Sequence, residues 1–544
     1  MKIGIFLGYG PNAKLLTEGL GRYLAGLLKG FIESGNEIVI ACPAWLEKNL
    51  ALLCEDNKIN IKNIEMITVK DPAIIELKNL FFQKRKTVYI PKNRFVKLIS
   101  GFIFEILSLV MSLTSTIVLI TSLLLLVLIG LILLPVSVIA FVIYFLSSSL
   151  LYILKNHKNK LRTLLNKSNF VNKFIMFYKM AFGYIENPIR RLYDKMISNV
   201  LLRLVKKINM IECTDLWFSP ALNWPAFNNI GGTKVIAAPD LVTSNYPFIF
   251  AGTSLLEQTE SIKNTIRKGN YFITYSDFIK YNVLVRDFNK KAINIFTIPH
   301  AANKLDSYID IYSNTRHLNY PPNVNEVFAR QQLSSLRYFS SVPNIGGVRD
   351  YISNFSFMDV KYIFYSSQIR PHKNILNLVK AYEFVLRKKF KQVKLILTGD
   401  YTTNKDVMDY ILEKRLEYDV LSFSKVSSQM LACLYSCAEL VVNPTLYEGG
   451  FPFTFSEGMS VGTPSVMSKI PQTIELLEKY EIDEFVFDPY SWEDIADKII
   501  YGLDNKNKLY VKQLEIYEEL KKRSWSTVAN EYVNAFEYFI TNQK

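Results

Sequence analysis

A chain of 544 residues is long enough for two or three domain cores. Its net charge of +15 suggests a nucleic-acid footprint, yet the excess is local: Lys84 to Lys207 holds 19 Lys/Arg against 3 Asp/Glu, leaving the other 420 residues near neutral. Those cations flank an apolar block and no nucleic-acid motif accompanies them, which excludes a nucleic-acid partner; five scattered cysteines and four histidines argue against zinc and for a reduced compartment.

In chain order, Lys2 to Leu7 reads as a short apolar strand, with no cleavage-type site to mark a signal peptide. A Gly/Pro/Asn loop at 8–14 and the run Glu18-Gly19-Leu20-Gly21-Arg22-Tyr23 lead into a helical pattern over Leu24–Ile32. A strand at Glu37–Cys42 completes a β-α-β unit. The rhythm fades near residue 80. Residues 98–154 then form a 57-residue block whose only charge is Glu105. One membrane span takes roughly 20 residues, so the block predicts two crossings, with Gly130 and Pro135 as breaks. Lys84, Arg85, Lys86, Lys92, Arg94 and Lys97 precede it; Lys155, Lys158, Lys160 and Arg162 follow. Basic residues beside spans stay cytoplasmic, so the expectation is a hairpin with both ends in the cytosol, held against anionic lipid. Residues 160–205 are basic and amphipathic, which predicts helices on the membrane surface.

Strands resume at Asp215–Ser219, Lys234–Ala238, Tyr271–Ser276 and Asn294–His300, so the insert interrupts one Rossmann-like domain. A second α/β series is expected from Val360–Tyr365, Val393–Gly399 and Leu440–Pro444, after an irregular linker at 303–355. Trp525 to Ile540 reads as a closing helix. The division by pattern is 1–80 plus 206–335, an inserted segment at 81–205, a second domain at 336–524, and a terminal helix at 525–544.

Two segments carry the chemistry. In Tyr447-Glu448-Gly449-Gly450-Phe451-Pro452 a Gly/Pro turn opens a helix that holds Thr454 and Glu457. The N-terminus of such a helix suits a diphosphate. Glu457, in the first turn, can take a ribose diol, and Glu448, on the preceding loop, the hydroxyls of a sugar beyond the phosphates. In Ser366-Ser-Gln-Ile-Arg-Pro-His-Lys-Asn374, Arg370 and Lys373 follow a strand, where open α/β sheets bind ligands. Two cations there can neutralise charge that grows on a leaving phosphate.

Tyr447, Glu448, Gly449, Glu457, Met459, Gly462, Thr463 and Pro464 resemble the donor-site signature of retaining GT-B glycosyltransferases of family 4 (group 1). Gly-Leu-Gly-Arg-Tyr at 19–23 is similar to that family's opening motif, Lys373-Asn374 to its Lys-Asn, and Pro239-Asp240-Leu241 to its His-Asp-Leu. The chain departs from the family by eight residues instead of seven between the glutamates, by Gln368 in the Gly-Arg position, and by Pro239 for histidine. His300 lies in a segment resembling one at the family's domain junction, where packing is the expected role.

The resemblance implies an α/β GT-B fold, two Rossmann-like domains facing a cleft, here with an inserted transmembrane hairpin. It implies Glu448, Lys373, Arg370 and Asp240 as catalytic residues. Glu457, Gly449, Gly450, Phe451, Thr454, Gly19 and Gly21 would bind donor. No Asp-x-Asp pair calls for a metal, so the expected reaction is metal-independent and retaining, with no cofactor. The expected donor is a nucleotide-sugar. The expected acceptor is a lipid-linked or membrane glycan in polysaccharide or glycolipid synthesis, at the cytoplasmic face of the plasma membrane. A sugar-nucleotide epimerase of the same fold, and a membrane scaffold without turnover, are the other classes.

Overall fold

The computed structural model describes residues 1–75, 105–128 and 188–542, except 12, 14, 16–18, 74, 116, 117, 123, 127, 212, 240, 243–252, 310–323, 339–346 and 425. Two parallel sheets organise them. The first contains β1 (Lys2–Phe6), β2 (Glu37–Pro43), β3 (Ile64–Val69), β4 (Leu216–Ser219), β5 (Lys234–Ala238), β6 (Tyr271–Thr274) and β7 (Ile295–Thr297), in the order β3-β2-β1-β4-β5-β6-β7. The second contains β8 (Tyr362–Tyr365), β9 (Lys394–Leu397), β10 (Val420–Ser422), β11 (Leu440–Asn443), β12 (Ser465–Ser468) and β13 (Val486–Phe487), in the order β10-β9-β8-β11-β12-β13.

The α-helices are α1 (Gly19–Glu33), α2 (Glu47–Asp56), α3 (Pro188–Ile211), α4 (Thr253–Lys268), α5 (Val324–Leu333), α6 (Val348–Ser353) and α7 (Ile375–Arg387). They continue with α8 (Lys405–Glu413), α9 (Ser428–Ser436), α10 (Phe453–Ser460), α11 (Pro471–Leu477), α12 (Trp492–Asp504), α13 (Lys506–Lys522) and α14 (Trp525–Thr541). Parallel strands covered on both faces are apolar almost throughout, as Val235-Ile-Ala-Ala238 is in β5. In each sheet the strand order reverses beside one strand: β1 has β2 on one side and β4 on the other, and β8 has β9 and β11. Ligands of open α/β sheets bind at such switch points, outside the carboxyl ends of the strands.

The first domain is closed by the end of the chain. Helix α14 lies along α1, burying Val528, Ala529, Tyr532, Phe536 and Phe539. The approach depends on two glycines of α1. A Cβ on Gly26 would stand 2.2 Å from the Trp525 ring, and one on Gly30 2.4 Å from the Trp525 carbonyl oxygen. The Tyr23 and Tyr532 hydroxyls meet at 2.7 Å inside this contact.

Three expectations change. Residues 160–205 were expected on a membrane surface, but from position 188 they form α3, which buries Met196, Val200, Leu201, Leu204, Val205 and Ile208 and packs against β2 and β3. Its apolar stripe belongs to the first domain. The linker at 303–355 contains α5 and α6, whose Ala329, Leu333, Val348 and Ile352 join the second core beside Phe364 and Leu421. So 188–205 goes with the first domain and α5 with the second. Helix α1 also begins earlier than the pattern suggested, so Gly19 to Tyr23 form its first turn instead of a loop.

Among the described residues no helix is long and apolar enough to cross a membrane, so the expected hairpin gains no support from them. Residues 76–104 and 129–187, with Lys84, Arg85, Lys86, Lys92, Arg94, Lys97, Gly130, Pro135, Lys155, Lys158, Lys160 and Arg162, lie outside the described set. The described piece of the apolar block docks on α3: Glu105 pairs with Lys195, and Asn199 donates to Ser108 Oγ at 3.2 Å. The Ala73 amide donates to the Leu113 carbonyl at 3.0 Å, which ties this piece to the chain just past the carboxyl end of β3. Beyond it Val118, Ile120, Leu124, Leu125 and Leu128 are exposed.

Candidate functional site

The loops after β8 and β11, on either side of the second switch point, converge. After β8 the chain makes a single 3₁₀ turn, Pro371–Lys373, and reverses at Asn374, which takes a left-handed conformation with φ 57°. The Asn374 side-chain amide anchors that turn by donating to the carbonyls of Pro444 (3.0 Å) and Pro489 (2.6 Å). The turn leaves Lys373 Nζ 2.5 Å from Glu448 Oε1, with 18% and 21% of the two side chains exposed. His372, which precedes Lys373 in the turn, is buried. Burial, and then the charges of Lys373 and Arg370, hold its imidazole down to about 2, so it stays neutral and adds no cation. Arg370 is exposed at the start of the same turn.

Beyond Glu448 the backbone passes close to the first domain. Ser276 Oγ donates to the Gly449 carbonyl at 3.0 Å, and a Cβ on Gly450 would stand 2.8 Å from Tyr275 Cβ. This bend, 449–452, precedes α10, so the additional residue between the glutamates adds no turn to the helix. Pro452 caps α10 without a side-chain hydrogen bond, leaving first-turn amides for an anion. Phe451 packs edge-on against Phe455, and Thr454 Oγ1 accepts from Asn443 Nδ2 at 2.9 Å. His300 stacks on Phe453 with ring centroids 4.0 Å apart; burial lowers its pKa to about 4.

Tyr447 points the other way, into the core of the first domain, and its hydroxyl accepts from the Leu241 amide at 3.1 Å. The loop after β5 therefore reaches the glutamate motif. Asp240, within that loop, lies outside the described residues.

Glu457 has no exposed surface. Its carboxylate accepts from Arg22 Nη1, from Asn303 Nδ2 at 2.7 Å and from Tyr435 OH at 2.7 Å. Burial and the Glu457 charge push the Tyr435 phenol well up, so it remains a donor. The structure thus brings Glu448, Lys373, Gly449, Gly450, Phe451 and Thr454 to one cleft-facing edge and ties Glu457 to both domains. Gly19 and Gly21 stand in the first turn of α1. A Cβ on Gly21 would fall 1.8 Å from the Leu15 carbonyl oxygen, so close packing of the preceding loop requires glycine there.

Sequence reasoning gave no role to Arg22, although it stands inside the quoted Gly-Leu-Gly-Arg-Tyr. It missed Asn303, Tyr435, Ser276 and Glu475 altogether. Glu475 in α11 accepts from the amides of Asp277 (2.7 Å) and Phe278 (3.2 Å), a further link between the domains. Among the described residues no three His, Cys, Asp or Glu side chains converge as a metal site.

Residues 351–522 match the family model for glycosyl transferases group 1. The O-antigen chain mannosyltransferase B of Escherichia coli is 26% identical over 176 residues, 32% of this chain and 45% of that protein. An uncharacterized glycosyltransferase of Methanocaldococcus jannaschii is 27% identical over 188 residues, 33% of this chain. The chain spans 45% of the length of each of these relatives. Among solved structures, Anabaena Alr3699/HepE in complex with UDP and glucose superposes with a TM-score of 0.54 at 12% identity, covering 99% of this chain and 100% of that one. Sucrose-phosphate synthase from Thermosynechococcus elongatus gives 0.50 at 14% identity, with 99% of each covered. These likenesses establish the GT-B-like fold with its two parallel-sheet domains.

Proposed function

From a glycosyl transferases group 1 domain set in a GT-B-like fold, we propose that this chain is a retaining, metal-independent glycosyltransferase. It moves a hexose-type sugar from a nucleotide-sugar to a lipid-linked glycan in polysaccharide or glycolipid synthesis. The observation that carries the reading is the convergence of Lys373 and Glu448 beside the open N-terminus of α10, at a topological switch point facing the first domain. Lys373, with Arg370 nearby, supplies the positive charge a departing diphosphate needs. Glu448 is placed to accept hydroxyls of the transferred sugar, and Asp240 would lie on the acceptor side.

In the proposed reaction the acceptor oxygen bonds to the anomeric carbon as the bond from that carbon to the phosphate oxygen breaks. The electron pair leaves with the diphosphate, which takes the acceptor proton on the same face, so configuration is retained. Protein cations and helix amides carry the charge, which is the ground for expecting no metal. Excess EDTA should leave the rate unchanged; loss restored only by Mg²⁺ or Mn²⁺ would overturn that part.

The acceptor proposal rests on the apolar block. Its described piece is fastened just past the carboxyl end of β3, the cleft-facing edge of the first sheet, and exposes Leu124, Leu125 and Leu128. A lipid surface there would bring a lipid-linked glycan to the acceptor domain, at the cytoplasmic face of the plasma membrane. The test is nucleotide release from UDP-, GDP- and dTDP-sugars by protein in bilayer mimics, with a lipid extract as acceptor and Lys373→Ala beside it. UDP-glucose and a mannose nucleotide come first, given what the HepE complex holds and what the Escherichia coli relative is called. Release dependent on lipid and lost in the variant is the expected result. Equal rates with a water-soluble acceptor in lipid-free conditions would remove the lipid component.

A further inference from the structure

Glu457 is the residue on which a ribose diol is expected to rest, yet in this structure no surface of it is exposed and its oxygens are taken. Tyr435, from α9 of the same domain, holds Oε2. Oε1 takes two donors from outside the second sheet: Arg22 Nη1 from the first turn of α1, and Asn303 Nδ2 from the segment after β7. That segment is strapped along α10, with the Asn303 amide donating to Ser456 Oγ at 3.1 Å and the Leu305 amide to Ser460 Oγ at 3.0 Å. A ribose hydroxyl offers Oε1 one O–H donor in place of the one N–H that Arg22 supplies, so their exchange conserves the hydrogen-bond count while Asn303 and Tyr435 stay.

Arg22 differs from the other donors in carrying a charge, and 30% of its side chain remains exposed at the domain boundary. It also stands in the first turn of the helix that follows β1, at the switch point of the first sheet, where the helix dipole favours an anion. A guanidinium displaced from Glu457 there has a natural second partner in the donor diphosphate, which it can hold with paired N–H groups.

We propose that Arg22 is a donor-responsive residue: in the free protein it occupies the ribose position on Glu457, and a nucleoside diphosphate displaces it from the carboxylate onto its own phosphates. The inference rests on the nucleotide-sugar reading above and adds a residue and an order of events to it. The nucleoside half of the donor releases the charge that the diphosphate half then uses. A nucleoside alone must break the Arg22–Glu457 pair without offering Arg22 a new partner, so the diphosphate adds more affinity in the native chain than in one lacking Arg22.

The experiment is calorimetric titration of the full chain in bilayer mimics with UDP, GDP and the matching nucleosides, for the native protein, Arg22→Ala, Arg22→Lys and Glu457→Gln. The native chain should bind the diphosphate of one base. Arg22→Ala should lose about tenfold or more of that affinity while binding the nucleoside as well as, or better than, the native chain. Arg22→Lys should recover part of the loss, and Glu457→Gln should weaken nucleoside and diphosphate alike. Equal weakening of nucleoside and diphosphate in Arg22→Ala would mean that Arg22 only props the domains together, and would overturn the proposal. So would a complex with diphosphate in which Arg22 still pairs with Glu457. No binding of any nucleotide by the native chain would instead remove the donor reading itself, and this inference with it.

Discussion

Replacing Lys373 by alanine separates two contributions, one to stability and one that the proposed reaction assigns to this lysine. Lys373 and Glu448 keep 18% and 21% of their side-chain surface exposed, between a solvent-exposed pair and a fully buried one. Exposed pairs contribute less than ~1 kcal/mol, and removing one partner of a buried pair costs ~3–5 kcal/mol. An intermediate loss of about 1–2 kcal/mol follows, which for a domain of this size lowers Tm by roughly 3–6 °C. The second contribution is to rate. Removing a group that stabilises charge in the transition state typically costs about 10²–10³ in turnover, or ~3–4 kcal/mol of barrier.

The two losses are measured separately: Tm by scanning calorimetry, and nucleotide release at saturating donor well below that Tm. The double variant Lys373→Ala/Glu448→Gln removes the uncompensated carboxylate, so it should regain most of the lost Tm and none of the lost rate. A Lys373→Ala protein that keeps more than about a third of native turnover would refute the reasoning, whatever its Tm. Lys373 would then be a counter-ion for Glu448 and no part of the chemistry, because a cation stabilising the leaving diphosphate cannot be removed that cheaply.

Three further outcomes follow from the packing around the cleft. The folded-state pKa of His300, about 4, lies below its ordinary value because of burial, so the unfolded chain binds the extra proton. The stability contributed by the neutral ring is therefore complete above pH ~6.5 and is lost as pH falls toward the folded value. Tm measured from pH 7 to 4 should drop more steeply in the native chain than in His300→Phe, whose ring can still stack on Phe453. Gly26→Val places a side chain where Trp525 stands, so α14 must shift from α1; overpacking of this kind costs about 1–3 kcal/mol. Denaturant unfolding should show that loss, and Gly10→Val, where nothing lies within 4 Å of the added Cβ, should not show it. Glu475→Ala removes the acceptor for the amides of Asp277 and Phe278, a cap worth about 1 kcal/mol. Hydrogen exchange at 277–280 should rise while the core of the second sheet stays protected.

How far the sequence could be read depended on whether a residue's task is local. Strands β1, β2, β5, β8, β9 and β11 were legible because each is a short apolar run with turn residues at its ends. Strand β12 was not. Ser465-Val-Met-Ser468 is half serine, and two of its polar groups find partners far along the chain, the Ser465 amide in Gln513 Oε1 and the Ser468 hydroxyl in the Asn443 carbonyl. Helix α3 was misread for a related reason: basic residues on an amphipathic stripe fit a membrane surface as well as a sheet, and only the neighbouring β2 and β3 decide between them.

The same division runs through the site. Glu448 and the glycine bend are written within a few residues of one another, and Lys373, 75 positions earlier, sits in a short motif of its own at the end of a strand. The fate of Glu457 depends on Arg22, 435 positions earlier, and Asn303, 154 positions earlier, and neither distance leaves a trace in spacing or periodicity. A carboxylate's residue type and its place on a helix suggest a ligand, and its partners decide when that ligand can reach it. In this chain one of those partners, Arg22, comes from the other domain, so on the proposed reading donor access is coupled to domain contact.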